Sequence, residues 1–370
     1  MQTDPSQKTP PEGVPLDIAG IEARALNVMS ERHRESLSGT DDEWTLHRNV
    51  AALNAIQLRA SRPRATGTPD LRTNVLGAQL GMPILAGPGP FMAFYGQAGF
   101  DVYAATSAAR TAMVVNMGTP SAVVAAAGDG VRFRQLDFSG HEATQKLVGS
   151  AVESGERAIF LTVDVAGSPF RTRETHFEMR QNPVSWSELI KCHIRPILSK
   201  DRIPDYDPAT DRPEGFRHPE LSWNDIARIR KYVPVPLVLK GVMTAEDARL
   251  AREHGVDGVV VSNHGGRAQD RVPATIEMLP EVVDEVGGKM TVLVDSGFRS
   301  GAHVLKALAL GADAVLIVRP IFWSLGAMQA DGPRLVLEIL RRQLSDAMAA
   351  AGCQSLADIS DDLVELASHV

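Results

Sequence analysis

A chain of 370 residues, 44% hydrophobic and 22% charged, has the make-up of an ordinary globular protein with a large core, which excludes fibrous and disordered classes. Its net charge of −7 comes without any basic tract, so the electrostatic footprint of a nucleic-acid binder is missing. Cys192 and Cys353 fit no disulfide framework or zinc spacing, and the longest apolar run, "ALALGADAVLIV" (307–318), is short and glycine-broken; the expectation is a cytoplasmic protein with no membrane partner and no metal.

In chain order, residues 1–15, "MQTDPSQKTPPEGVP", are rich in Pro, Thr and Gln and predict a disordered arm, while residues 16–370 read as one domain. Leu16 to about Ala60 has a helical period, with Ile18, Ile21, Ala25 and Val28 on one face, then Trp44, Leu46, Val50, Leu53 and Ile56 on another. These helices are expected to cap one end of the repeat that follows.

From Pro83, short β-branched runs alternate with helical stretches, the pattern of βα units on a parallel sheet. The runs are "PILAGP" (83–88), "AMVVNM" (112–117), "VRFRQLD" (131–137), "AIFLTVD" (158–164), "PLVLKGV" (236–242), "DGVVVSN" (257–263), "TVLVDSG" (291–297) and "DAVLIVRP" (313–320). Eight units predict an α/β fold of the closed (β/α)8, or TIM, barrel type over about residues 83–350. Between Phe170 and Leu221 the repeat breaks into a stretch heavy in Pro, Asp and Arg, expected to be a long lid loop after strand 4.

Chemistry in such a barrel gathers at the C-terminal ends of the strands. Those ends read Pro88, Asn116, Asp137, Asp164, Lys240, His264, Asp295 and Arg319, mostly polar or ionisable. Convergence of such groups at a fold's binding position marks a site. Individually, Asp164 also reads as a turn cap, Arg171 as a solvated lid residue and Lys240 as a lysine reaching for solvent. No GxGxxG motif opens a helix, so a dinucleotide fingerprint is missing.

The segments "LKGVMTAEDARLA", "VVVSNHGGR", "PATIEMLPEVV", "VDSGFRSGAHVLKALALGADAV" and "RP" resemble, in order and spacing, the FMN-dependent 2-hydroxy acid oxidases and dehydrogenases, the family of glycolate oxidase, lactate oxidase and mandelate dehydrogenase. The resemblance runs over about residues 38–353. It implies FMN as cofactor, a small-molecule substrate, and oxidation of a CH–OH or CH–NH2 next to a carboxyl or carbonyl group. The electron acceptor, oxygen or another, stays open, and family habit implies a homo-oligomer, a homotetramer.

By the same resemblance His264 is the base, suited to take a hydroxyl proton near neutral pH. Asp164 orients it and stabilises the imidazolium. Arg267 and Arg171 hold the substrate carboxylate, for which a guanidinium fork is matched. Lys240 lies against the flavin N1 and O2 edge. Pro88, Gly89, Asn116, Gln135, Thr162 and Ser262 fall around the ring. Asp295 faces the ribityl chain, and Gly297, Arg299, Val318 and Arg319 meet the phosphate.

The sequence departs from the family mainly in the substrate shell. Asp137 and Glu35 stand where family members carry substrate-binding tyrosines, Val318 replaces a glycine, "PGP" (88–90) replaces Pro-Thr-Ala, and Asn116 replaces a serine. Carboxylates beside the flavin would repel a small anionic acid. The expected substrate is therefore larger, or a specialised metabolite, or one that turns an amine toward Asp137. Two alternatives remain open from sequence: an FMN-dependent isomerase or lyase without net redox, and a flavin-binding protein that has lost activity.

Overall fold

The computed structural model describes residues 15–59, 67–119, 128–165, 171–181 and 221–365. Eight strands, β1 (Ile84–Ala86), β2 (Ala112–Val115), β3 (Val131–Asp137), β4 (Ile159–Thr162), β5 (Leu237–Val242), β6 (Gly258–Val261), β7 (Thr291–Val294) and β8 (Ala314–Ile317), pair in parallel in chain order, and β8 closes on β1 with Val315 opposite Ile84. Each falls inside a run marked in the sequence. The chain is a (β/α)8 barrel.

Strand side chains alternate between the barrel interior and the helical shell. The interior cluster holds Leu85, Val114, Phe133, Phe160, Val238, Val260, Leu293 and Leu316. A hairpin of Thr73–Val75 and Ala78–Leu80 adds Val75, Ala78 and Leu80 to that cluster. Two residues further along β3 to β7, the interior positions become Gln135, Thr162, Lys240, Ser262 and Asp295, all buried. The period of two thus carries one stripe from apolar filling to a polar floor at the C-terminal mouth.

Three N-terminal helices lie against the barrel: α1 (Ile18–Val28), α2 (Glu31–Glu35) and α3 (Trp44–Ala55). Their buried faces differ from the sequence pattern. In α1, Val28 is exposed and the next residue, Met29, is buried instead. In α3, Thr45, Asn49, Ala52 and Leu53 are buried while Trp44 is exposed. In α3 the cause is polar docking onto the segment after β6. Asn49 and Asn263 exchange amide hydrogen bonds at 3.0 and 2.9 Å, and the Thr275 N–H donates to Asn49 Oδ1 at 3.2 Å. A buried asparagine is stable when its amide is satisfied on both sides.

Helix α3 has no side-chain cap of its own. Asp270 supplies one from across the chain, accepting from Thr45 N–H at 2.7 Å and Trp44 N–H at 3.2 Å. Burial opposes its ionisation, yet the hydrogen bonds donated by Thr45 and by the Arg271 backbone N–H hold the carboxyl down at about 2.

The expected lid loop is in part a helix, α6 (Thr172–Gln181), counted after α4 (Ala98–Ala108) and α5 (His141–Glu153). Residues 182–220, and the arm at 1–14, lie outside the described residues. Among the described residues no helix is long and apolar enough to cross a membrane.

Candidate active site

The polar floor is a connected network. Asn116 Nδ2 donates to Gln135 Oε1 at 3.1 Å, and Gln135 Nε2 donates to Thr162 Oγ1 and Asp137 Oδ1, both at 2.8 Å. Across the barrel, Lys240 Nζ donates to Ser262 Oγ at 2.9 Å and pairs with Asp295 Oδ2 at 3.0 Å. Ser262 Oγ also accepts from the His264 N–H at 3.1 Å, so one hydroxyl fixes both the lysine and the start of the histidine turn.

His264 has a left-handed backbone, φ 57°, which an ordinary residue adopts only when its surroundings hold it there. Its Nδ1 lies 3.2 Å from each carboxylate oxygen of Asp164. That contact puts the proton of a neutral imidazole on Nδ1 and assigns the accepting role to Nε2. Space for Asp164 comes from Gly241, at a bulge in β5 with φ 114°: a Cβ there would overlap the aspartate's own Cβ and Cγ.

These groups open into a cavity of about 400 Å³. One end holds Arg171, Glu174, His264 and Arg267; the other holds Gly297, Arg299, Val318 and Arg319, with Lys240 and Asp295 also in its walls. A third face is aromatic. The His33 ring stacks on Phe94 with centroids 4.2 Å apart, and Phe94 meets Phe322 at 4.8 Å.

The arginine end is built for an anion. Helix α11 (Arg319–Met328), which follows β8, begins with no side-chain cap. Arg319 Nε donates to Leu37 O at 3.0 Å and Nη1 to Gly265 O at 2.8 Å, while Nη2 is buried with no hydrogen-bond partner among the described residues. Burial pushes Arg319 down to about 9, with Arg267 and Arg299 adding repulsion, and burial pushes Arg299 down to about 10. Both stay cationic at neutral pH, with Glu22 offsetting part of the cost at Arg299 and Glu43 and Asp295 part of it at Arg319, and a further negative charge beside them would stabilise both. Arg299 also stacks 4.6 Å over the Trp323 ring. Gly297, φ 88°, keeps this loop close to α3: a Cβ would come within 2.6 Å of Asn49 O.

A sequence profile described as FMN-dependent dehydrogenase matches residues 27–366. The chain belongs to this family. As an FMN-dependent dehydrogenase it is an enzyme, and FMN is its cofactor. It is 36% identical to 2-hydroxyacid oxidase 2 of Rattus norvegicus over 361 residues, 94% of this chain and 98% of that one. It is 38% identical to glycolate oxidase 5 of Oryza sativa subsp. japonica over 327 residues, 87% of this chain and 88% of the relative. Among solved structures, a mandelate oxidase variant with (S)-mandelic acid superposes with a TM-score of 0.81 at 31% identity, covering 96% of this chain and all of the other. A soluble mutant of the (S)-mandelate dehydrogenase of Pseudomonas putida gives 0.84 at 27% identity over 95% of this chain and 99% of its own.

The residues present fit FMN. The buried, unpartnered Arg319 Nη2, the open start of α11 and the two depressed arginines together ask for one phosphate dianion. Among the described residues no group of three or more metal-ligating side chains comes together.

Of the positions singled out in the sequence, Pro88, Gly89, Arg171, Lys240, His264, Arg267, Asp295, Gly297, Arg299, Val318 and Arg319 line the cavity of this dehydrogenase. Asn116, Gln135, Thr162, Ser262 and Asp164 stand directly behind, bonded as described. Two expected substrate residues also lie outside the lining. Asp137 is buried, its carboxylate accepting from the Gln135 amide. Glu35 pairs with Arg173 on α6 at 2.8 and 3.1 Å. Not marked in the sequence were Glu174, His33, Phe94, Gly241, Asp270 and His303. Burial, with Lys306 and Arg299 nearby, pushes His303 down to about 4. Its neutral ring accepts from the Arg299 N–H at 3.2 Å and meets Asn54 Oδ1 at 2.9 Å. His303 thus ties the phosphate loop to the end of α3.

Proposed function

We propose that this dehydrogenase oxidises the CH–OH of a 2-hydroxy acid to the 2-oxo acid, with His264 as the base and a substrate side chain larger than that of glycolate or lactate. The observation that carries the reading is the His264–Asp164 contact, 3.2 Å to both oxygens, in a cavity that also holds two arginines. Arg171 and Arg267 bind and orient the carboxylate, which places the hydroxyl at His264 Nε2. His264 accepts the hydroxyl proton, and Asp164 stabilises the imidazolium so formed. FMN, when bound, supplies the acceptor for the electron pair that leaves the α-carbon. Lys240 holds a fixed positive charge beside it, aimed by Ser262 and Asp295.

The remaining cofactor contacts follow the same logic. Pro88, Gly89, Asn116, Gln135, Thr162 and Ser262 surround the ring, Asp295 faces the ribityl chain, and Gly297, Arg299, Val318 and Arg319 take the phosphate. The larger side chain is supported by the His33, Phe94 and Phe322 wall, which offers flat apolar surface that a two- or three-carbon acid leaves unfilled.

The test is His264→Ala in the yellow protein. The colour should persist while anaerobic bleaching by an aryl or long-chain 2-hydroxy acid slows by about 10²–10⁴-fold. Bleaching at the wild-type rate would remove His264 from the role. Faster bleaching by glycolate than by every aryl or long-chain acid would overturn the substrate size.

A further inference from the structure

The two arginines assigned to the substrate carboxylate already hold one. Glu174 Oε2 lies 3.1 Å from Arg171 Nη1 and 3.5 Å from Arg267 Nη2, so a single oxygen bridges both guanidinium groups inside the cavity. We propose that Glu174 is the internal counter-anion of this clamp, occupying it in the free enzyme and yielding it to the carboxylate of the substrate. The proposal rests on the reading of Arg171 and Arg267 given above and adds a residue that sets which ligands can enter.

Three observations carry it. Arg171 holds Glu174 through a single nitrogen, Nη1, and not through a two-nitrogen fork. An incoming carboxylate that took Nη1 and Nη2 as a pair would gain the bidentate geometry that Glu174 does not use. Arg267 is anchored from behind: its Nη1 donates to the carbonyls of Ser36 and Ser38, which turns Nη2 toward Glu174. Both arginines therefore aim a donor at one point, and that point is where Glu174 sits. Finally, the three side chains are only about one-fifth to one-quarter exposed, from 20% for Arg267 to 27% for Arg171, so two cations there repel unless an anion stands between them.

A staple that merely holds α6 in place would leave ligand preference untouched. Exchange of one carboxylate for another would not. The incoming acid competes with Glu174, whereas a neutral analogue has no charge with which to displace it.

The experiment titrates the FMN-loaded wild type and Glu174→Gln with benzoate and with benzamide, read by perturbation of the flavin absorption band and by calorimetry. Gln keeps the length and shape of the side chain and removes its charge. Benzoate should bind the variant on the order of tenfold more tightly, which is about 1.4 kcal/mol, while benzamide is unchanged. Equal benzoate affinity in the two proteins, weaker binding in the variant, or a parallel shift for both ligands overturns the internal anion but leaves the clamp standing. If benzoate binds neither protein, or binds Arg267→Met as well as wild type, the clamp itself falls and the inference with it.

Discussion

The two anion sites proposed for the cavity are built by different constructions. At the phosphate end, donors come from barrel loops and from the first turn of α11, and they are braced by α3 through Asp270, Asn49 and His303. Burial there leaves Arg319 with a donor that no group among the described residues fills. At the carboxylate end, Arg267 stands on the loop after β6 and Arg171 just ahead of α6, and a side chain of α6 itself fills the gap. The first is a fixed socket for a group meant to stay. The second is an exchangeable position for a group meant to leave.

That contrast can be broken at its fixed end first. Arg319→Ala removes a buried cation and two backbone tethers, and FMN affinity should fall by some hundredfold or more, measured by the fluorescence of released flavin. Retention of the cofactor at wild-type affinity would show that Arg299 and the helix end suffice. Next, Gly241→Ala pushes on Asp164 without touching either anion site; colour should be kept while substrate-driven bleaching slows by about a hundredfold. An unchanged rate would mean that the aspartate has room to move.

The brace offers a smaller, pH-dependent effect. His303 is held neutral in the fold, with its value about 4, and titrates near its ordinary 6.5 when unfolded. Between these values the unfolded chain binds the extra proton, so stability drops as pH falls from about 6.5 toward 4 and levels off below. From pH 7 to 5, wild type should lose roughly 2 kcal/mol more than His303→Asn in guanidinium unfolding. Parallel losses in both proteins would place the titration elsewhere. Smallest of all, Asp270→Ala should cost about 1 kcal/mol by uncapping α3, with weaker FMN retention as its second sign. Lost stability with cofactor affinity intact would separate the helix from the socket.

Much of this was legible because strands and strand ends obey short-range rules. The alternation through Phe133, Gln135 and Asp137, or Phe160, Thr162 and Asp164, is written in the sequence, and the closed repeat tells which end is the mouth. Arg267 and Arg319 were readable for the same reason. The N-terminal helices were only partly so: Leu53 and Ile56 are buried as expected, but Asn49 looks like a solvent-facing residue until Asn263 is placed against it, and a hydrophobic count then rotates the face of α3 toward Trp44. The partners of Asp137 and Glu35 were not legible, because position along the chain says which residue is near the mouth but not which neighbour claims its carboxylate. Gln135 claimed one and Arg173 the other.

The paired amides of Asn49 and Asn263 join residues 214 positions apart. On the ribosome, α3 emerges long before the loop it must grip, and it has to wait, with Asn49 still wetted, until the sixth and seventh strands arrive. Readiness to take up the coenzyme is thus a late event in folding, set by the segment around Asn263 closing against α3.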